Sequence, residues 1–346
     1  MKYQYHKHKS QLIDQLTCPN LIYVDYSKVD LTLSEQEKMA DVFVAVSRIK
    51  QVFELYKDRI GRYFLGRVNG NFSVELYLYL LDRGEDPKDC EVLFDLIQEL
   101  SDEVLRERLV RVMTNYTHKN LTGEEFLTYL YGEELRDDYK WNIYWAYTHI
   151  REYLAELLAL YRELLPLYHP FQQQFEEECD SFAQTLDVEE LYRNTDHAIV
   201  SMIKETGCAT CEVFVTAPLF FVQGYHYDDD LFKGTVYFSL YPRVPLFLER
   251  TLGLSLDYQS LTLKVLGDPV RYEILKRVTL TDDKSKIIAE DLGISPGNVT
   301  FHSQKLLNAN LMLFDTEDNS VKYRLNKVLL KQMIHQLEDD FQLNED

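Results

Sequence analysis

The stretch 263–326 decides the reading of this chain: LKVLGDPVRYEILKRVTLTDDKSKIIAEDLGISPGNVTFHSQKLLNANLMLFDTEDNSVKYRLN. Asp268 has an N-cap side chain, and Pro269 suits the first helical position, where a missing N–H costs nothing. Val270, Ile274, Leu275 and Val278 recur at helical spacing. A second short helix over 284–292 turns Ile287, Ile288 and Leu292 inward. Gly293 ends it and supplies the positive φ of a tight turn. Ser295 caps a third helix, 295–307, and Pro296 opens it. Val299, Leu306 and His302 take its inward side, which leaves Gly297, Asn298, Thr300, Phe301 and Gln304 outward. An alternating run over 311–314, a polar turn over 315–320 and a second run over 321–325 read as a hairpin. Helix, helix, glycine turn, helix and hairpin make a winged helix-turn-helix.

On the pieces LKVLGDPVRYEILKRV, AEDLGISPGNVTFH, LLNANLM and VKYRLN, in this order and spacing, the last quarter of the chain resembles the ArsR family of bacterial transcription regulators. The resemblance implies a dimeric, sequence-specific binder of double-stranded DNA. Ser303 stands where that family usually has a core leucine. The turn carries Asp315, Glu317 and Asp318, where family members are often basic. The helix DKSKIIAEDL has no cysteine, so the metal sensing known in the family is not implied here.

Outward from this stretch, composition sets bounds. The chain has 346 residues, which suggests two domains, and 46% of them are hydrophobic, enough for real cores. No run reaches the ~18 apolar residues of a membrane span, and the N-terminus lacks the apolar block of a secretory signal. Five scattered cysteines suit a reducing cytoplasm. The net charge is −20, but it is unevenly placed. Residues 264–332 hold 11 Lys and Arg against 9 Asp and Glu, a net of +2. The acid therefore sits mostly outside the candidate DNA-binding unit, although so negative a chain weakens non-specific attraction to phosphate.

The region before 255 reads as mainly helical. A capping-box spacing at Ser34 and Glu37 opens it, and short amphipathic helices joined by short turns follow. A long helix over 137–165 carries Trp141 and Trp145, and Pro166 and Pro170 interrupt it. Glu176, Glu177 and Glu178 read as a solubilising face. Leu21–Tyr26 reads as a strand, and the run His6-Lys7-His8-Lys9 as a solvated terminus. A small antiparallel sheet is expected near 211–241. The fold class is thus mainly α. A helical domain with a small sheet fills 1–254 as a sensory and dimerising module, and a winged helix-turn-helix fills 255–346.

Catalytic patterns are absent: there is no G-x-S-x-G, no P-loop and no H-E-x-x-H. No catalytic residue, metal ligand or cofactor is assigned, and the chain reads as not an enzyme. Cys208-x-x-Cys211 has the spacing of half a zinc site or a redox pair, but no second pair lies at zinc-ribbon distance. It reads as two small residues at a strand start. The abundant aromatics, 25 Tyr and 18 Phe, suit core and interdomain packing or a pocket for an organic effector. The candidate DNA-binding residues are Lys284, Lys286, Ser295, Gly297, Asn298, Thr300, Phe301, Gln304, Lys305, Lys322 and Arg324. Asn298, Thr300 and Gln304 have the groups that read base edges, and the lysines and Arg324 suit phosphate. An apolar stripe over 326–343, formed by Val328, Leu329, Met333, Ile334, Leu337 and Phe341, suits a homodimer interface. The expected function is a cytoplasmic transcriptional repressor that binds double-stranded DNA as a homodimer. A small organic effector or a protein partner would act at the N-terminal domain. The alternative is a protein-interaction module whose winged helix assembles a complex without DNA. A third reading is an enzyme in 1–250 with a regulatory tail.

Overall fold

The structure, a computed structural model, describes residues 2–26, 31–64, 71–114, 121–133, 135–191, 210–219, 224–226, 235–248, 256–280, 285–315 and 322–343. The chain divides into two compact units. One comprises 1–24, 42–185 and 208–242; the other comprises 25–41, 186–207 and 243–346.

The first unit is mainly helical. Its longest helix, Ile150–Gln174, buries Tyr153, Leu157, Leu160, Tyr161, Leu164 and Tyr168 along one side. The expected long helix instead divides at His149, and its second part runs straight through Pro166 and Pro170. Proline removes a helical hydrogen bond and crowds the preceding turn. Here tertiary ties outweigh that cost. Tyr161 Oη donates to the Leu16 carbonyl at 2.6 Å, Tyr168 Oη to Asp14 at 2.9 Å, and Gln172 Nε2 to the Gln11 carbonyl at 3.1 Å. All three bonds run to the helix Lys7–Thr17. A buried ion pair between Arg108 and Glu75, at 3.3 Å, joins the helices Phe72–Asp82 and Asp102–Met113.

Two expectations near the N-terminus are corrected. Leu21–Tyr26 is not a strand: Cys18–Tyr23 is a 3₁₀ helix that continues directly from Lys7–Thr17. Pro19 stands at its start, where a φ near −65° is already helical. The run His6-Lys7-His8-Lys9 is no free tail either. Lys7 pairs with Glu176 and Asp180, His8 with Asp86, and Lys9 with Glu212.

The small sheet is present but not wholly antiparallel. It has four strands, β1 (Lys2–Tyr5), β2 (Thr210–Val215), β3 (Gly224–His226) and β4 (Thr235–Leu240), in the order β1-β2-β4-β3. β1 with β2 and β2 with β4 are parallel; only β3 with β4 is antiparallel. The physical reason lies in the strand residues. CEVFV in β2 and VYF in β4 are buried without alternation, so these strands must be central, as parallel strands covered on both faces are. The three-residue β3 is left at the edge, so a simple meander is ruled out. Cys211 is buried in β2; Cys208 lies outside the described residues.

In the second unit, Thr32 and Glu35 form the capping box expected two residues later. Arg243 donates both terminal nitrogens to Asp41, at 2.6 and 2.7 Å. From 256 on, the order is helix Leu256–Leu266, helix Pro269–Leu280, helix Ser285–Leu292, helix Pro296–Asn308, strand β5 (Met312–Asp315), strand β6 (Lys322–Leu325) and helix Lys327–Asp340. β5 and β6 are antiparallel, with Leu313 opposite Arg324. One core joins these elements: Leu261, Val265, Ile274, Ile288, Val299, Leu306, Leu311 and Leu329 all contribute. Tyr258 Oη closes it by donating to the buried Ala309 carbonyl at 2.7 Å.

The turns are set locally. Gly293 has φ +64°, and Ile294 N–H donates back to the Ala289 carbonyl at 3.0 Å, which is a Schellman cap. Asn310, at φ 52°, ends the next helix in the same way, with Leu311 N–H donating to the Leu306 carbonyl. The apolar stripe of the last helix is split. Leu329 and Met333 are buried in their own unit, Leu337 is half-buried, and Val328, Ile334 and Phe341 are exposed. At ~100° per residue, Val328 falls on a different side from Ile334 and Phe341.

Candidate nucleic-acid interface

The helix Pro296–Asn308 is fixed at its start by Ser295. This residue is extended, at φ −71° and ψ 151°, and its side chain accepts the Asn298 N–H at 3.2 Å. Val299, 1% exposed, and Leu306 anchor the inward side. Ser303 is buried beside them, so the core accepts a small polar side chain at that position. His302 is half-buried, 3.8 Å from Asp268, which caps the helix Pro269–Leu280 by accepting the Arg271 N–H.

Gly297, Asn298, Thr300, Phe301 and Gln304 are all exposed. On an ideal helix Thr300, Gln304, Gly297 and Phe301 fall within an arc of about 100°, with Asn298 to one side. A Cβ on Gly297 would meet only Ser295 Oγ, at 3.8 Å, so the packing of the chain itself does not require glycine there. Phe301 is 45% exposed and packs edge-on against His302. Gln304 Nε2 donates to Asn308 Oδ1 at 2.9 Å, a partner not expected from the sequence. The i,i+4 spacing of two amides was its only sign.

The basic residues are less uniform. Lys305 is not outward: it is 8% exposed, and its Nζ lies 5.6 Å from the centre of the Phe301 ring. A lysine stem is long enough to be covered along a helix flank while its charge sits over an aromatic face. Arg324 is exposed on β6. Lys286 is on the helix Ser285–Leu292 and Lys322 on β6, but their side chains lie outside the described residues, as does Lys284 entirely. Glu317 and Asp318 of the hairpin turn also lie outside them. Two further arginines are held by neighbouring carboxylates, Arg277 by Asp291 and Arg271 by Asp268.

The arrangement presents amide and hydroxyl groups on one exposed side of a capped helix, with Arg324 on a nearby strand in sequence. That chemistry suits hydrogen bonding to a polar edge. Among the described residues, no group of three or more His, Cys, Asp or Glu is placed to hold a metal ion, and no helix is long and apolar enough to cross a membrane. Compared with known proteins, the chain matches no family model and no curated protein.

Proposed function

We propose that this chain is a sequence-specific transcriptional regulator, a repressor that binds double-stranded DNA as a homodimer. In this reading residues 255–346 form a winged helix-turn-helix similar to that of the ArsR family and carry the dimer contact, and 1–254 form the sensory part. The observation that carries it is the exposed Thr300, Phe301 and Gln304 arc, flanked by Asn298, on a helix whose axis is set by Ser295 and whose other side is buried by Val299 and Leu306. Such a helix fits the major groove of duplex DNA. There Asn298 and Gln304 would each meet the N6/N7 edge of an adenine, and Gln304 would exchange its bond to Asn308 for that contact. Arg324, Lys286 and Lys322 would hold phosphates.

Dimerisation is supported by two helices of the second unit. Leu256 and Leu263 on one, and Ile334 on the other with Phe341 just past its end, are exposed. Gln259 Nε2 joins the two helices by donating to Asp340 at 3.0 Å. Apolar side chains of this size are costly to leave in water.

The test is selection of fragments by the purified chain from the genome that encodes it. Enrichment of a palindromic sequence, bound with an affinity that falls steeply with salt, is the expected outcome. No enrichment, and no binding even at low salt, would sink the reading. It would favour the second one, a module that assembles a protein complex. That second reading draws on the buried Lys305, the exposed Phe301 ring and the net charge of −20.

A further inference from the structure

Phe301 stands among hydroxyl and amide groups on the exposed side of the helix Pro296–Asn308, and its ring is 45% exposed. A ring of this size is normally covered by the chain that carries it. This one is left open but held in place. The Lys305 ammonium lies over it, 5.6 Å from its centre and within reach of a cation–π contact. The His302 ring packs against it edge-on, with centres 5.4 Å apart and planes at 77°. Lys305 is itself 8% exposed, so its stem is covered along the helix flank. Contacts of this kind restrict the ring's rotamers, and less entropy is lost when a partner docks on it.

Gly297 lies one turn before Phe301, on the side toward which helical side chains lean. It is helical, with no positive φ, and a Cβ there would meet only Ser295 Oγ, at 3.8 Å. Neither backbone strain nor internal packing calls for glycine, and glycine weakens a helix relative to alanine. What it leaves is an open notch beside the Phe301 ring, with Thr300 and Gln304 on the same exposed side. Such a notch fits a small apolar group carried on a polar scaffold. The neighbouring side chains say which one. Asn298 and Gln304 have the amide that matches the N6/N7 edge of adenine, and every adenine of a duplex faces a thymine whose C5-methyl projects into the same groove. Gln304 follows Phe301 by three residues, so the two are neighbours on the helix surface.

We propose that Phe301, with the notch at Gly297, reads the C5-methyl group of a thymine in each half-site of the DNA. This rests on the DNA-binding reading and adds to it an apolar specificity contact that the amides cannot supply. Lys305 then acts as a positioning residue for the ring, and not as a phosphate contact.

The experiment uses the full chain and the palindromic fragment it selects. Each thymine is replaced in turn by deoxyuridine, symmetrically in both half-sites, which removes the methyl and keeps every hydrogen-bonding group. At one thymine of the half-site this should weaken binding about fourfold per half-site, the worth of one buried methyl group. In Phe301→Ala, its fold checked by thermal melting, the thymine and deoxyuridine fragments should bind equally at that position. Gly297→Ala fills the notch: it should leave the domain at least as stable, yet weaken binding of the thymine fragment and narrow the same difference. Lys305→Met keeps the stem and removes the charge. It should lower the thymine-to-deoxyuridine ratio and leave the salt slope unchanged, whereas loss of a phosphate contact would lower that slope by about one and defeat the positioning role. The proposal is overturned by a selected fragment in which no thymine is sensitive, a result that needs no variant to fold. It is equally overturned by sensitivity that persists in folded Phe301→Ala, or by Gly297→Ala that binds undiminished. Selection of no fragment at all is a separate failure: it removes the DNA-binding reading, and this inference with it.

Discussion

Asp14 sits with Leu12, Ile13 and Leu16 on the buried side of its helix. Its folded pKa of about 6 lies above the ordinary 3.8, because burial opposes its charge. The stability this gives is fully present below about 3.8, where the unfolded carboxyl is protonated too, and is lost as pH rises through about 6. The difference between the two values corresponds to ~3 kcal/mol. Asp14→Asn should therefore stabilise the first unit near pH 7.5 and change it little near pH 4. Both tryptophans, Trp141 and Trp145, belong to that unit, so urea midpoints followed by tryptophan fluorescence make the comparison. An equal effect at both pH values would remove Asp14 as the source. In the second unit, Asn298→Ala and Gln304→Ala should each lose ~1–3 kcal/mol of specific DNA binding and relax one position of each half-site. Val299→Asp would bury a charge without a partner and unfold the domain. Gel-shift assays on a selected site, paired with thermal melts, separate these outcomes. Folded alanine variants that still bind tightly and selectively would defeat the base-reading role.

At the scale of the element, the helix Ile150–Gln174 persists through two prolines because its hydroxyls and amides are tied to the helix Lys7–Thr17. Those ties are not equivalent. The Leu16 carbonyl accepts from Asn71 Nδ2, at 2.9 Å, as well as from Tyr161. Tyr161→Phe therefore leaves it a donor and should cost ~1 kcal/mol. Tyr168→Phe removes one of the two bonds to the ionised Asp14 and should cost more, ~1.5–3 kcal/mol near pH 7.5. The two urea midpoints decide this; Tyr161→Phe proving the costlier change would refute the assignment. The glycine turn is a second element-scale case. At φ +64°, Gly293→Ala places a Cβ in the left-handed region, where it meets no neighbour but strains the backbone by roughly 1–2 kcal/mol. A lower melting temperature of the second unit, with the same circular dichroism, is the expected reading.

For the whole molecule, charge and association dominate. Residues 264–332 are close to neutral at +2 in a chain of −20, so phosphate contacts would rest on individual cations such as Arg324 and not on net charge. Within the steep salt dependence expected of DNA binding, Arg324→Ala should lower the slope by about one counterion per protomer while leaving sequence preference intact. Loss of preference with an unchanged slope would place Arg324 on bases instead. Ile334→Glu with Phe341→Glu should convert a dimer to a monomer without unfolding, since both side chains are exposed in one chain. Sedimentation equilibrium measures this directly. A wild-type chain that is already monomeric at micromolar concentration would exclude the proposed interface. Paired recognition helices in a dimer also require half-sites about 34 Å apart.

What depended on neighbours in sequence was legible from it. The Ser295 cap, the Gly293 turn, the inward Val299 and Leu306, and the exposed Asn298, Thr300, Phe301 and Gln304 all follow from helical period and capping chemistry, which act within a few residues. The two antiparallel β5–β6 runs follow from alternation about a polar turn. Contacts between distant segments decided the rest. The parallel pairing of β2 with β4 depends on which strands are buried on both faces. The passage of a helix through Pro166 and Pro170 depends on hydroxyls that reach residues about 150 positions away. Lys305 reads as a surface lysine until the fold covers its stem. Asp14 reads as one more acid in an acidic chain; only packing against Tyr168, Gln172 and Ala217 buries its carboxylate. Local free energies set each element's type and ends, whereas desolvation is settled only when remote parts of the chain close over a group.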